Sequence, residues 1–491
     1  MQTVSCPSCG APVEFKSHAA VMAVCEYCRA SIIKDGDAVK DIGKLSAVLE
    51  DYSPIQIGTA GKFKGRGFTV VGRIQLRYDQ GMWNEWYLLC DDASIAWLGA
   101  ASGQYTITTE RASTGPLPSF DEVTPGLQYP IDGVAFTAAD KREGECIGGQ
   151  GELPFRVGDG WRIRAADLRR ATQFVTLDYT DGPVPVLYDG KSVTLTDLQC
   201  QLLRSAEEIK ASAGRYRGKL DALDCPSCGS AIKYVPGVTT NLVCPACAAQ
   251  LDAAGPEATV LAAGAQVDQV ICSLKLGAKG SVAGDHYTVI GAMVRADEEG
   301  SSWTEYLLHG LNKGAFMWLV ETDEGWTRTK VLDDWPQWDS LAAASVTYKE
   351  VKYKKLYDYQ ATVTYAAGAF NWRVAAGDKA RVYDFKQSRD TLTAELTADE
   401  MTWSQSVPVA ADQVAAWFGT GANGMSAEAA AKKPAPAQAS TYHNTQFKFV
   451  WWILGLNAIP LLANFGTTLV IVGLALVALF YPEKYFQGDD Q

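Results

Sequence analysis

The strongest chemical signal in this sequence is a repeated arrangement of cysteines. Eight of the twelve cysteines form two sets, and each set has two Cys-x-x-Cys pairs separated by fifteen residues. Two thiolates at this spacing can hold one metal ion from a tight turn, and two such turns complete a tetrahedral site. Four sulfur ligands leave no position for water, so we expect two structural Zn²⁺ ions. The predicted ligands are Cys6, Cys9, Cys25 and Cys28 in the first set and Cys225, Cys228, Cys244 and Cys247 in the second.

Disulfides or redox-active pairs are the alternative use of these cysteines. The first ten residues, MQTVSCPSCG, lack a basic stretch followed by an apolar run, so the sequence predicts no signal peptide. Disulfides are rare in a reducing cytoplasm, which favours metal binding. The other four cysteines, at positions 90, 146, 200 and 272, are scattered and are predicted to be inert core thiols.

A second candidate site combines a carboxylate with tryptophan, and it also occurs twice. In each copy a Trp-x-Glu-aromatic strand precedes a Trp-Leu strand. On a β-strand the first tryptophan and the glutamate share one face, where they could form a ligand contact or a general base in an aromatic pocket. The alternative is an exposed or ion-paired carboxylate beside core tryptophans. The candidate ligand-binding residues are Trp83, Glu85 and Trp97 in the first copy and Trp303, Glu305 and Trp318 in the second.

Other catalytic groups are scarce. The chain has four histidines and none recurs in both copies, since His286 aligns with Gly67 and His309 falls near Leu89. The glycines between positions 58 and 67 lack the G-x-x-x-x-G-K-[ST] pattern of a phosphate-binding loop. The sequence therefore leans against an enzyme and leaves catalytic residues unassigned.

Charge argues against nucleic-acid binding, the other common use of zinc ribbons. The chain has 44 basic and 56 acidic residues, a net charge of −12. Residues 1–45 carry five basic and five acidic side chains, and residues 221–260 carry one lysine against four acids. Phosphate backbones are bound by basic faces, which both ribbons lack. We therefore expect no nucleic-acid partner and interpret the ribbons as caps or protein-docking modules, with nucleic-acid binding as the weaker alternative.

The cysteine sets belong to a longer internal repeat. Gly58–Gly72 aligns with Gly277–Gly291 at one offset, with six of fifteen positions identical. Further on, Phe155-Arg-Val aligns with Trp372-Arg-Val. The predicted division is a zinc ribbon at 1–45, a β body at 46–220 that ends in a helix, a second ribbon at 221–260, a second β body at 261–420, a linker at 421–446 and a membrane anchor at 447–482.

The chain is predicted to be mainly β, with each body a small barrel or sandwich. Fourteen tryptophans and 21 tyrosines favour strands, and short β-branched runs alternate with glycine and proline turns. Helix is scarce. One helix is predicted to start at Thr196, with Gln199 completing a capping box, and to run to about Lys210. Its counterpart in the second body is a short helix over 411–418 that ends at Gly419.

This arrangement resembles the bacterial domain-of-unknown-function family DUF4178, in which a Cys-x-x-Cys ribbon often precedes a β body with the two tryptophan strands described above. The resemblance covers residues 1 to about 420, as two tandem copies each preceded by a ribbon. It implies a genomic association with membrane-stress proteins of the phage-shock type and with small membrane proteins. It implies no particular activity.

The segment from Phe449 to Tyr481 contains no charged residue and is predicted to lie in a membrane. As one helix its 33 residues would extend about 50 Å, against a bilayer core of roughly 30 Å. Either residues 461–481 cross once as a transmembrane helix, or residues 464–466 turn a hairpin of two short helices. Asparagine and glycine lie midway along the segment, which favours the hairpin slightly.

Taken together, these features predict a membrane-anchored binding or scaffold protein with structural zinc, acting in envelope maintenance or stress. Lys432, Lys433 and Lys448 lie on the N-terminal side of the apolar segment, which places the large N-terminal region in the cytoplasm, at the inner membrane. The expected partners are the membrane and other membrane or membrane-stress proteins. The alternative is an enzyme or a small-ligand sensor that uses the tryptophan and glutamate pockets.

Overall fold

The described part of the chain is almost entirely β-structure. The structure is a computed structural model, and it describes residues 2–17, 20–35, 38–44, 48, 53–157, 161–212, 223–232, 241–252, 259–262, 272–310 and 316–419. All of these lie in the first of two units, Met1–Gly424, while the second unit is Met425–Gln491. The predicted linker at 421–446 and membrane anchor at 447–482 therefore lie outside the described residues. Among the helices that are described, none is long and apolar enough to cross a membrane.

The first repeat contributes fifteen strands, a short 3-10 helix at Phe120–Glu122 and one α-helix, α1, at Ala206–Ser212. The strands are β1 (Gln2–Ser5), β2 (Pro12–Phe15), β3 (Met22–Val24), β4 (Ala30–Asp35), β5 (Ala38–Lys44), β6 (Ala60–Phe63), β7 (Arg66–Tyr78), β8 (Gly81–Cys90), β9 (Ile95–Ala101), β10 (Gln104–Glu110), β11 (Gln128–Ile131), β12 (Val134–Leu153), β13 (Arg162–Arg170), β14 (Gln173–Asp178) and β15 (Val186–Val193).

The second repeat has the same order of elements and ends in helix α2 at Ala411–Phe418. Its strands are β16 (Leu223–Asp224), β17 (Ala231–Ile232), β18 (Asn241–Val243), β19 (Gln250–Asp252), β20 (Thr259–Ala262), β21 (Lys279–Val282), β22 (Asp285–Ala296), β23 (Ser302–Gly310), β24 (Phe316–Thr322), β25 (Gly325–Val331), β26 (Ser345–Tyr348), β27 (Val351–Phe370), β28 (Lys379–Gln387), β29 (Asp390–Leu396) and β30 (Met401–Val409).

Each body is a closed barrel of eight antiparallel strands, which decides between the barrel and the sandwich. In the first repeat the order around the barrel is β7-β8-β9-β10-β15-β14-β13-β12, and β12 pairs back with β7. The second repeat repeats this order as β22-β23-β24-β25-β30-β29-β28-β27, and β27 pairs back with β22. Each barrel is thus two four-stranded meanders joined at both edges, and closure leaves no barrel edge open to another chain.

A glycine pair marks the place where each barrel closes. Gly72 of β7 lies opposite Gly151 of β12, and Gly291 of β22 lies opposite Gly368 of β27. A Cβ at Gly72 would collide with the backbone oxygen of Glu152. Gly151 and Gly368 also have positive φ angles of 67° and 96°. Close backbone approach and left-handed conformation both require glycine, so the sequence places it at this crossing in both repeats.

The long strands β12 and β27 connect the barrel to the cysteine-rich ribbon. The first half of β12 pairs with β11 and β13, and its second half pairs with β7 on one side and with ribbon strand β3 on the other. Strand β27 pairs in the same way with β26, β28, β22 and ribbon strand β18. The second half of each ribbon, β3–β5 and β18–β20, therefore extends a barrel sheet, whereas β1–β2 and β16–β17 form separate two-stranded sheets.

The cores inside the two barrels include ribbon side chains. In the first barrel, Trp83, Tyr87 and Trp97 pack in one cluster with residues of β7, β12, β13 and β15. Met22 and Val24 of the ribbon belong to the same cluster. The cluster of the second barrel likewise joins barrel residues to ribbon side chains, which are Leu223, Ile232, Leu242 and Leu251. The core of each barrel is therefore complete only when the ribbon is folded against it.

The two helices show where sequence signals succeed and fail. Helix α2 spans Ala411–Phe418, and Gly419 ends it in the left-handed conformation, as predicted. The start predicted at Thr196 for α1 is wrong. Thr194 and Asp197 instead hold a turn through reciprocal hydrogen bonds of 2.7–3.1 Å. The helix begins at Ala206 after a capping box formed by Ser205 and Glu208.

The repeats contact each other through different faces. Ala139 of β12 packs into the outer core of the second barrel, and Asp140 forms a β-bridge with Glu400. The backbone N–H of Lys141 donates to the carbonyl of Asp399 at 3.0 Å. A second contact joins the β7–β8 turn to the second ribbon and barrel, through a 2.6 Å bond from the Arg373 N–H to the Gln80 carbonyl and an ion pair of Arg77 with Asp252 at 3.3 Å.

Candidate functional site

The two cysteine sets each converge on one point. In the first set the Cys6 and Cys28 sulfurs lie 3.6 Å apart, and those of Cys9 and Cys25 lie 3.7 Å apart. The matching distances in the second set are 3.7 and 3.8 Å. Four sulfurs around a zinc ion at about 2.3 Å would be separated by about 3.8 Å. A disulfide would need about 2.05 Å, so the geometry fits a metal site and excludes the disulfide alternative for these eight thiols.

Tight turns hold the cysteine pairs in this arrangement. The N–H of Gly10 donates to the Cys6 carbonyl, and the N–H of Arg29 donates to the Cys25 carbonyl, each at 2.8 Å. Both residues have positive φ angles, 76° for Gly10 and 61° for Arg29. Ala248 of the second ribbon has a φ of 53°. The second turn of each ribbon thus adopts the glycine conformation without glycine, at a small cost that metal coordination offsets.

Hydrogen bonds also favour thiolate at one cysteine of each set. The backbone N–H of Ala30 lowers the pKa of Cys28 to about 7. The hydroxyl and backbone N–H of Ser230 lower the pKa of Cys228 to about 6. Metal binding requires thiolates, so these donors reduce the cost of deprotonation.

One buried carboxylate fastens the first ribbon to its barrel. Glu152 on β12 is 3% exposed and accepts hydrogen bonds from the backbone N–H groups of Lys16 and Ser17, both at 2.7 Å. In register the second repeat has Ala369 at this place. The carboxylate that attaches the first ribbon therefore has no counterpart at position 369.

The recurring glutamate lies inside the first barrel in a network of charged groups. The indole N–H of Trp83 donates to Glu85 at 2.9 Å, so the two side chains share a face as predicted. Across the barrel, Arg142 on β12 donates to Asp140 and, at 3.1 Å, to Asp167 on β13. The Arg142 guanidinium also lies 4.9 Å from the centre of the Trp83 ring. Trp83 thus contacts both Glu85 and Arg142, the arginine that pairs with the two aspartates.

The second barrel has the same carboxylate and tryptophan with a different cation. Trp303 donates to Glu305 at 2.6 Å. Arg295 on β22 donates to Glu305 at 3.2 Å and to Glu395 at 3.0 Å. Glu305 and Arg295 are both buried. In the second repeat the recurring glutamate is therefore ion-paired, which is the alternative that the sequence left open.

Strand registers show which parts of the network are shared. Asp167 and Asp384 occupy the same place on β13 and β28, and each accepts a hydrogen bond from a threonine on the next strand, at 2.6 and 2.5 Å. Arg142 corresponds to Tyr359 on β27, whereas Arg295 corresponds to Leu76 on β7. Trp83, Glu85 and Asp167 thus have counterparts in the second repeat, whereas Asp140 is replaced by Tyr357 and the arginine enters from a different strand in each repeat.

The acids of the first network resist ionisation. Burial, reinforced by nearby Asp167, raises the pKa of Glu85 to about 8. Burial and Asp140 raise the pKa of Asp167 to about 6 and that of Glu400, which comes from the second repeat, to about 7. Burial also raises the pKa of Glu305, against the opposing effect of Arg295. Glu85 therefore keeps its proton at neutral pH, whereas Glu400 and Asp167 have pKa values at or just below it.

The predicted ligand-binding residues do not all meet. Trp83 pairs with Glu85, and Trp303 pairs with Glu305. Trp97 instead packs against Tyr87 and Phe155, toward the ribbon. Trp318 packs against Trp372 at 5.3 Å in the same way. The second tryptophan of the motif thus belongs to the packing between barrel and ribbon.

The other charged members of the two networks were not predicted from the sequence. Most of them come from strands that are distant in the chain, whereas Arg295 lies ten residues before Glu305 on the adjacent strand. These members are Arg142, Asp167, Arg295, Asp384, Glu395 and Glu400. One signal was available. Arg164-Ala-Ala-Asp167 and Arg381-Val-Tyr-Asp384 align at one offset of the repeat, with an arginine and an aspartate in common. No equivalent pattern marks the two arginines, since their positions differ between repeats.

Comparison with known proteins identifies the family. The family described as Domain of unknown function (DUF4178) matches residues 56–195 and 275–411, more than half of the chain. The chain therefore belongs to this family and carries two tandem copies of its domain, each preceded by a cysteine set. No curated protein and no solved structure matches the chain.

The cysteine geometry predicts two metal ions in each chain. Cys6→Ser and Cys225→Ser should each remove about one ion, and the double variant should remove both, because three ligands hold a structural ion poorly. Elemental analysis of the purified protein measures this. Cys200→Ser, which changes a thiol outside both sets, should keep two ions. A folded chain that contains no metal would contradict the assignment.

The raised pKa of Glu85 predicts a pH-dependent stability. The folded carboxyl titrates near pH 8 and an unperturbed one near 4.5, so the folded chain keeps a proton that the unfolded chain loses between these values. The free energy of unfolding should therefore fall as the pH rises through this window. The glutamine in Glu85→Gln cannot ionise, so at high pH the free energy of unfolding of this variant should exceed that of the wild type by on the order of 2 kcal/mol.

Urea unfolding at about pH 5.5 and about pH 8.5, followed by tryptophan fluorescence, measures this difference. The variant and the wild type should agree more closely at the lower pH. Glu110→Gln, on an exposed position of the same barrel, is the matched control and should leave the pH profile unchanged. Parallel profiles for Glu85→Gln and the wild type would show that Glu85 is ionised in the folded chain.

Proposed function

We propose that this chain is a membrane-attached binding or scaffold protein whose two repeats present partner surfaces on a metal-stabilised framework, in a system of envelope maintenance or stress. The observation that carries the proposal is the shared sheet of ribbon and barrel in both repeats. Such a construction holds surface loops in fixed positions, which suits binding. The connection with envelope stress rests on what the family resemblance implies.

The inside of the barrels supports binding over catalysis. The large aromatic side chains of the first barrel fill its centre in one cluster. The recurring glutamates bond to tryptophan, and Glu305 is ion-paired with Arg295. Groups that satisfy one another in this way stabilise a framework.

Zinc is the metal that we propose for both cysteine sets. A closed tetrahedral set of four thiolates is the usual environment of structural zinc. The proposed cytoplasmic location of the ribbons also agrees with this assignment, because thiols stay reduced there.

Membrane attachment would come from the C-terminal segment. Phe449 to Tyr481 is 33 residues without a charge, and lysines at 432, 433 and 448 precede it. Apolar segments of this length favour the bilayer, and flanking lysines favour the cytoplasmic side. We therefore propose that the repeats lie in the cytoplasm at the inner membrane.

Deleting residues 447–491 should move the protein from the membrane pellet to the soluble fraction, because the apolar segment provides the attachment. Cell fractionation and immunoblotting measure this. A matched deletion of 425–440 keeps the apolar segment and should stay in the pellet. If the 447–491 deletion stays with the membrane and still holds two metal ions, the attachment lies elsewhere.

Tags at both termini distinguish the two arrangements of the segment. With a helical hairpin, both tags would be protected from external protease in intact cells. With a single crossing, only the C-terminal tag would be cut. Cleavage of the N-terminal tag would contradict the proposed cytoplasmic location of the repeats.

A small-ligand sensor is the second candidate function, and the buried acid network of the first barrel favours it. Clusters of buried acids with raised pKa values are frequent at binding and catalytic sites. The test is native mass spectrometry of the full chain purified in mild detergent, with Glu85→Gln, Glu305→Gln as the comparison. A small molecule that binds the wild type and is lost from this nearly isosteric double variant would favour the sensor. Equal spectra for the wild type and the double variant would contradict the sensor and favour the scaffold.

A further inference from the structure

The contact between the repeats uses one face of the first repeat and a different face of the second. On the first repeat, the contact is the bulge at 139–141 of β12, which we call the docking bulge. On the second repeat, it includes the β29–β30 turn at 397–400, which we call the docking turn, and the segment at 332–338, which bonds to the first repeat and packs around Ala139. An interface between unlike faces of like units leaves one face of each kind free.

The free docking bulge of the second repeat can be identified from strand register. Strand β27 has a bulge between Lys355 and Tyr357, at the same place as the bulge between Ala138 and Asp140 in β12. The residues that correspond to Ala139, Asp140 and Lys141 are therefore Leu356, Tyr357 and Asp358.

These residues carry exposed apolar surface where the first repeat is covered. Ala139 is 4% exposed in the contact between repeats, whereas Leu356 is 45% exposed and Tyr357 is 58% exposed. Large apolar side chains that protrude from a strand at a known type of contact point indicate a second use of that contact.

The free docking turn lies on the first repeat. The β14–β15 turn at 179–185 corresponds to the β29–β30 turn, with seven residues between Asp178 and Val186 where the second repeat has six between the equivalent Glu395 and Thr402. Val184 in this turn is 82% exposed, and it is among the most exposed large apolar residues in the described part of the chain. Both free faces thus present an apolar side chain to solvent.

The second contact between the repeats, which joins the β7–β8 turn to Arg373, also has free counterparts, and these carry opposite charges. In the existing contact the β7–β8 turn meets Arg373 of the second repeat. The free counterpart of that turn carries Asp297, Glu298 and Glu299, and Arg156, the counterpart of Arg373, is exposed. A basic residue and an acidic turn would therefore meet if the contact were repeated between chains.

We propose that chains of this protein associate head to tail, with the docking bulge at 356–358 of one copy on the docking turn at 179–185 of the next. The occupant of each free face is a second copy of this chain, because the contact between the repeats already shows the two faces together. Association of this kind adds copies at both ends unless the rotation closes a ring. The proposal goes beyond the proposed membrane scaffold and does not depend on the membrane attachment.

Two single variants at opposite ends test the proposal on the full chain in mild detergent. Tyr357→Glu places an unpaired charge in the bulge, opposite a turn that contains Asp181, and Val184→Glu places one in the turn. Light scattering across a concentration series, with the detergent mass subtracted, measures the mass of the protein assembly. The assembly mass of the wild type should increase with concentration, and each variant alone should stay at the mass of one chain.

An equimolar mixture of the two variants distinguishes head-to-tail association from a symmetric dimer. Each variant keeps the face that the other has lost, so the mixture should form pairs and nothing larger. Leu202→Glu changes an exposed leucine outside both faces and should behave as the wild type. Circular dichroism and metal content establish that all variants fold.

Three results would overturn the proposal. They are a wild type that stays at one chain throughout the series, an assembly that persists in Tyr357→Glu or Val184→Glu, and a mixture of the two variants that forms no pairs. If Tyr357→Glu abolishes assembly while Val184→Glu still assembles, the contact is symmetric and runs through the bulge. That result would also contradict the head-to-tail arrangement.

Discussion

Each repeat depends on one strand that must pair with two structures at once. Strands β12 and β27 close their barrels against β7 and β22, and their last three residues pair with ribbon strands β3 and β18, so that Gly151 and Gly368 each pair with both neighbours. The glycine crossings at 72 and 151, and at 291 and 368, permit this close approach. Because the two neighbours pair with consecutive stretches of one strand that overlap at Gly151 and at Gly368, a shift of the barrel register also moves the ribbon.

This constraint gives the metal sites a role beyond the ribbons. A ribbon of this size gains most of its folding free energy from its metal, on the order of 10 kcal/mol. Ribbon side chains such as Met22 and Val24 complete the core inside the first barrel. The same cluster meets the acid network at Trp83, which donates to Glu85.

Local signals in the sequence were enough for the cysteine sites, the repeat, the barrels as one of two options, helix α2 and the Trp83–Glu85 pairing. Features made by distant residues were out of reach. Val24 meets Gly151, and Arg142 meets Asp167, only after strands that are far apart in the sequence have paired. The position of α1 was missed because Thr194 and Asp197 satisfy a turn where a capping box was expected. The arginines escaped the comparison of repeats because each enters from a different strand.

The central claim is that ribbon strands β3–β5 and the barrel form one sheet held by the metal, and hydrogen–deuterium exchange of the full chain with and without a chelator tests it most directly. The account predicts that metal removal raises exchange in β3 and β4 and also at 151–153 of β12, because the pairing between β3 and β12 is lost. Strands β13 and β14, which pair away from the ribbon, should keep more of their protection. If only ribbon amides respond and 151–153 exchanges as before, the ribbon is an independent module and the account is wrong.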